Sequence, residues 1–208
     1  AKTAESLGHL DAVLLSHDHH FDNLDHAGRR LLGEAERVLT TSDGATRLGG
    51  GAVGLDHWQS IRIPAPDGSI LTITATPARH GPPGGDRGPV IGFVLAFEQR
   101  PDNGVYVSGD TVWYEGVAEV ARRFHIRTAI LFMGAARIRE VGPAPITMTA
   151  EDGIVAARAF SDATIVPVHY EGWRHFSESR ADIEKAFRNE GIEDRLRWIA
   201  AGGSIVID

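Results

Sequence analysis

Six side chains able to hold a metal crowd into nine residues near the start of this chain: His17, Asp18, His19, His20, Asp22 and Asp25. An apolar run, residues 11–16 (Asp-Ala-Val-Leu-Leu-Ser), leads straight into them. A nearly continuous apolar run of that length suits a buried strand, and such strands belong to sheets covered by helices. Neutral imidazoles and carboxylates at the end of a strand are aimed at one point, which is what metal ligation needs. The plain alternative is a polar turn with satisfied side chains. Later strand ends decide between them.

Residues 22–32 read as a helix with Leu24, Ala27, Leu31 and Leu32 on one face and Gly33 as its cap. Asp22 then sits near a helix N-terminus, where a carboxylate is favoured with or without metal. Residues 37–41 form a second short strand, and Ser42 can N-cap a brief helix through Leu48. His57, alone in its segment, reads as structural. The alternating stretches 60–63 and 70–75 flank Pro66-Asp67-Gly68 as a hairpin. Its second strand runs into Thr76-Pro77-Ala78-Arg79-His80 and a rigid Gly/Pro loop, so His80 is a second strand-end ligand. Residues 90–97 and 105–107 form another hairpin with its turn over Arg100–Gly104. The return strand ends in Ser108-Gly109-Asp110-Thr111. Asp110 or Thr111 could alternatively N-cap a helix over 112–124.

Residues 128–133 are a buried strand. Thr149 and Asp152 are spaced to cap a helix reaching about Phe160. Residues 163–168 form a last core strand that ends in His169-Tyr170-Glu171-Gly172-Trp173, with His175 close behind. Residues 178–190 suit an amphipathic helix, and residues 196–207 a terminal strand pair around Gly202-Gly203. Four strand ends thus carry ligand chemistry: His17/His19/His20/Asp22, His80, Asp110 and His169. The economical explanation is an α/β sheet presenting its C-terminal strand ends to one cleft.

These segments resemble the metallo-β-lactamase superfamily of metal-dependent hydrolases along nearly the whole chain. The resemblance rests on Ser16-His17-Asp18-His19-His20-Phe21-Asp22-Asn23, Thr76-Pro77-Ala78-Arg79-His80, Ser108-Gly109-Asp110-Thr111 and Pro167-Val168-His169. Within the superfamily it is most similar to the branch holding ascorbate-6-phosphate lactonase and N-acyl-phosphatidylethanolamine phospholipase D, through Met133-Gly134-Ala135 and Pro167-Val168-His169-Tyr170. It implies one α/β domain over residues 1–208, an αββα sandwich with metals at the edge between two sheets. Family members carry further strands before this motif, so sequence preceding Ala1 is expected.

The first loop departs from the family by one inserted residue. His19 and His20 therefore compete for one role, and Asn23 stands where the family has a second-metal histidine. The resemblance implies zinc, one ion or two, with manganese or iron also compatible with His/Asp ligation. It assigns His17, His19 or His20, and His80 to one metal, Asp22 and His169 to a second, and Asp110 between them. A metal-bound hydroxide would attack an ester, lactone, amide or phosphoester of a small molecule. Asp22 could orient it, and His175, Tyr170 and Tyr114 are candidates for protonating the leaving group. Arg79 could meet an anionic substrate group. An iron-dependent oxidoreductase on the same ligands, or a non-catalytic metal-binding module, are the alternatives.

The net charge of −7 argues against a nucleic-acid partner held by bulk electrostatics. The chain has no cysteine, which excludes disulfides, thiolate sites and cysteine nucleophiles and fits the cytoplasm. No apolar run is long enough to span a membrane. A homo-oligomer is compatible with all of this.

Overall fold

The structure, a computed structural model, describes residues 6–84 and 86–206. The apolar run forms β1 (Val13–Leu14), which pairs in parallel with β2 (Val38–Thr41), and β2 pairs in parallel with β3 (Val53–Leu55). Parallel neighbours need crossovers. Those are α1 (His26–Leu31) and α2 (Ser42–Leu48). The first helix begins at His26 rather than Asp22. The intervening residues form a turn in which the Asn23 and Leu24 amides donate to the His20 carbonyl, and the Asp25 side chain caps the helix through the Gly28 amide. Thr41, not Ser42, caps the second helix, accepting from the Gly44 amide.

The second sheet has six strands in sequence order: β4 (Ser60–Pro64), β5 (Ile70–Pro77), β6 (Ile91–Phe97), β7 (Arg100–Val107), β8 (Ile126–Phe132) and β9 (Thr164–Val168). The first four are antiparallel and the last two join in parallel, after α3 (Glu115–Arg123) and α4 (Ala150–Ala159) respectively. A final helix, α5 (Arg180–Asn189), starts at a capping box of Ser179 with Asp182; α4 starts at the expected one of Thr149 with Asp152.

Three local expectations are corrected. The turn between β6 and β7 lies at Glu98-Gln99, and residues 100–104 are strand with a register shift opposite Leu95–Phe97. Between the pairs Leu95–Val105 and Phe97–Arg100, β7 carries three residues more than β6, and Pro101 and Gly104 fall in that excess stretch. Neither Asp110 nor Thr111 caps α3, whose N-cap is Tyr114. Residues 196–206 form no strand pair, only an isolated bridge from Leu196 to Ile165, while residues 207–208 lie outside the described residues.

The layers follow from which face each strand buries. Leu39 and Leu55 of the small sheet pack against Ile63, Ile73, Ala75, Ile91 and Phe93 of the large one. The other face of the large sheet, with Val94, Tyr106, Leu131 and Ile165, packs against Val117, Ile154, Ile183 and Phe187 of the three later helices. Leu15 and Val38 meet Leu24, Leu32 and Leu48 on the outer side of the small sheet. The order is therefore helix, sheet, sheet, helix, the αββα sandwich expected. Each buried aliphatic or aromatic side chain contributes about 1.5–3 kcal/mol.

Strand β6 runs opposite to β5 and β7, so β5, β7, β8 and β9 all finish at one edge of the sheet. The two sheets are stitched there by the Ile91 amide donating to the Ser16 carbonyl at 3.1 Å. Gly109, with φ of 61°, lets them close: a Cβ on it would lie 2.8 Å from the Ile91 oxygen and 2.9 Å from the Ser16 Cβ.

Candidate metal centre

The residues after β1, β5, β7 and β9 meet at this edge. Ligand atoms of His17, His20 and His80 all lie within 4.8 Å of one another. His17 Nε2 is 3.1 Å from His20 Nδ1, and its other ring nitrogen meets the Ser16 hydroxyl at 3.0 Å. His80 Nδ1 lies 2.7 Å from the Ile146 carbonyl oxygen and so donates its proton there. That bond leaves the His80 Nε2 lone pair facing the cluster, the usual way a second contact fixes the tautomer of a ligating histidine.

Asp110 sits at the centre. Its side chain is 1% exposed, and its carboxylate lies 3.4 Å from His80 Nε2, 3.8 Å from His17 Nε2 and 3.5 Å from His169 Nδ1. Neither carboxylate oxygen has a hydrogen-bond partner, and His169 Nδ1 has none either. Natural interiors rarely tolerate such orphans unless something is to be bound. His169 is held at φ of 57°, an uncommon backbone state for a non-glycine residue. Gly134 makes room for it, because a Cβ there would come within 2.8 Å of the His169 oxygen.

Electrostatics match this geometry. Burial, helped by the neighbouring imidazoles, lowers His17 to about 2. Burial likewise lowers His20, His80 and His169 to about 4 each. All four are neutral at pH 7, the form that binds metal. Asp110 is pushed up to about 8 by burial, with the nearby Asp22 charge adding to it. Without a cation the carboxyl is held mostly protonated at pH 7; a buried carboxylate among neutral imidazoles, with no donor to satisfy it, fits a divalent cation.

The remaining side chains divide clearly. His19 is not brought into the histidine group: its Nε2 meets the Arg87 carbonyl at 2.6 Å. Asp18 is clamped by Arg47, with Nε at 2.9 Å from Oδ2 and Nη2 at 2.5 Å from Oδ1, and that bonding holds its carboxyl below the usual range. Asn23 turns inward and donates from Nδ2 to the His17 carbonyl at 2.6 Å. Asp22 stays at the site and meets His175 Nε2 at 3.2 Å. Arg79 is turned away, its guanidinium over the Tyr114 ring at 4.5 Å and its Nε donating to the Gly81 carbonyl. Tyr170 packs on Trp198. Arg79, Tyr114 and Tyr170 do not line the pocket.

The pocket holds about 380 Å³, walled by His19, His20, Asp22, His80 and His175, with Phe21, Arg87, Ile138, Ile146 and Trp173 completing it. Sequence reasoning named none of these last five as site residues, although loops 81–88 and 137–147, where it placed substrate choice, supply Arg87, Ile138 and Ile146. Only Phe21 carried a signal, an apolar residue between two ligand candidates. The others come from loops whose paths no local pattern determines.

A family model described as a beta-lactamase superfamily domain matches residues 1–170. The chain belongs to the beta-lactamase superfamily, and its arrangement of sheets and helices is the fold of that superfamily. Among curated relatives, a UPF0173 metal-dependent hydrolase of Methanoregula boonei is 28% identical over 177 residues, 78% of this chain and 68% of that one. The UPF0173 protein YddR of Bacillus subtilis is 22% identical over 191 residues, 90% of this chain and 72% of its own. Among solved structures, an isothiocyanate hydrolase from Delia radicum gut bacteria superposes with a TM-score of 0.81 at 27% identity, covering 100% of this chain and 80% of that one.

Proposed function

We propose that this chain hydrolyses a small-molecule electrophile at a zinc centre built on Asp110. The orphaned Asp110 carboxylate, ringed by three neutral imidazoles, carries this reading. His17, His20 and His80 would hold one ion, and Asp22 with His169 a second, Asp110 standing between. His19 is left outside both because its ligand atoms do not join the group formed by His17, His20 and His80. When bound, the metal supplies Lewis acidity and a water whose pKa falls to about 7.

The chain's own groups do the rest. Ser16 and the Ile146 carbonyl keep the rings of His17 and His80 aimed at the centre. Asp22 orients the nucleophile. His175, with Nε2 against the Asp22 carboxylate, is placed to deliver a proton to the leaving group. Esters, lactones, amides and phosphoesters all suit this constellation. The isothiocyanate hydrolase among the similar structures adds the isothiocyanate carbon, a small uncharged electrophile, to that set.

The test is metal content by ICP-MS beside turnover of allyl isothiocyanate, p-nitrophenyl acetate and a bis-aryl phosphodiester. Chelation should abolish turnover, and zinc, manganese or iron restored singly should show which metal returns it. His175→Ala should keep its metal and lose turnover at least about tenfold. Full activity after complete chelation refutes the reading.

A further inference from the structure

Resting on that hydrolase reading, we propose that Phe21 and Trp173 form a substrate subsite for a flat apolar group, an aryl or aralkyl substituent on the electrophile attacked at the metal centre. Phe21 lies between His20 and Asp22, whose side chains both face the site, so its ring is thrown outward. It is 58% exposed, and Trp173 is 43% exposed. Scattered exposed apolar residues need no explanation. These two are not scattered: they meet edge to face, with centroids 6.4 Å apart at 88°, on the wall of the pocket that holds the histidines. The other large hydrophobics exposed among the described residues, Leu7, Val53, Val155 and Val206, are all aliphatic.

The corner is tied to the chemistry by His175. Trp173 stacks on the His175 ring at 6.1 Å and 19°, and His175 in turn reaches Asp22. An apolar group resting on Phe21 and Trp173 therefore adjoins His175, the side chain that meets Asp22 at the site. Ile138 and Ile146 extend the same apolar lining. Aromatic rings gain from edge-to-face and offset stacking beyond the area they bury, so a planar ring profits most from this corner. A methyl-sized substituent would reach the centre without touching it.

The test compares two hydroxamates on the metal-loaded protein by calorimetry. Acetohydroxamate offers only the metal-chelating head. Phenylacetohydroxamate offers the same head with an aryl arm. Phenylacetohydroxamate is expected to bind about tenfold more tightly. Phe21→Ala and Trp173→Ala should each cut that preference, and the double variant should erase it. Acetohydroxamate should bind all of these alike, which shows that the centre is intact, and Trp173→Phe should keep most of the preference. Equal affinities in the wild type, or a preference that survives the double variant, overturns the subsite and leaves the hydrolase reading standing. Failure of both hydroxamates to bind overturns the metal-centre reading and the subsite with it.

Discussion

Replacing Asp110 by Asn should stabilise the metal-free protein while destroying its ability to gain stability from metal. In the fold, burial raises this carboxyl to about 8, against an ordinary value of 3.8. A group whose folded pKa is raised gives its full stabilisation below pH 3.8 and loses it as pH climbs toward 8. At pH 7 the unfolded chain gains by ionising, and the loss is about 4 kcal/mol. The amide of Asn cannot ionise and escapes that loss. It occupies the same volume and lacks partners as the neutral acid does. Metal-free Asp110→Asn should therefore melt above the wild type at pH 7 by on the order of 10 °C, since each kcal/mol is worth about 2–4 °C in a chain of this size. The gap should be near zero at pH 4, widen by about 1.4 kcal/mol per pH unit, and level off above pH 8. With metal added the order should reverse, because only the wild type binds it and is stabilised by mass action. Scanning fluorimetry on chelator-treated and zinc-loaded samples from pH 4 to 9 reads all of this. A metal-free variant that melts at or below the wild type at pH 7, or a gap that ignores pH, refutes the account of Asp110 as a buried carboxyl that keeps its proton until a cation replaces it.

The four imidazoles act in the opposite sense. His17, His20, His80 and His169 are depressed to between about 2 and 4, so the metal-free fold should lose stability as pH falls from about 6.5 toward 4, each contributing up to about 1.4 kcal/mol per pH unit. Metal-free melting should thus peak near pH 6.5, and a flat profile on the acid side counts against neutral, buried rings. Asn23→Ala should weaken metal binding about tenfold or more in a competition titration, because its side chain holds the His17 carbonyl. Gly109→Ala should lower both the melting temperature and the metal content: its φ of 61° disfavours a Cβ, and the Cβ would press on the Ile91 oxygen and Ser16. Unchanged melting in that variant would mean the two sheets do not close at this edge as described.

The sequence alone determined which residue types could make a site and which strand ends would carry them. His17, His80, Asp110 and His169 each follow an apolar strand. Period and burial force such a strand into the sheet, and its C-terminal end must then emerge at the edge. The capping box of Thr149 with Asp152 was equally legible, because both of its bonds are local. What the sequence left open was every choice settled between segments far apart in the chain. Whether His19 or His20 joined the cluster was decided by the loop's fold, which groups His20 with His17 and His80 and sets His19 Nε2 against the Arg87 carbonyl. Asn23 could be seen to break the family pattern, but only packing showed it bonded to the His17 backbone. Pro101 and Gly104 read as a turn, yet both lie within β7, Gly104 paired with Ile126 of β8, and the turn falls at Glu98-Gln99. Arg79 looked poised beside His80, and stacking on Tyr114 took it away. Trp173 reached the mouth of the pocket, and His175 reached Asp22, through a loop with no periodicity to announce it. Local propensity and hydrophobic period are properties of short segments. Tautomer, tilt and partner of each side chain depend on contacts that exist only once the two sheets have closed on each other.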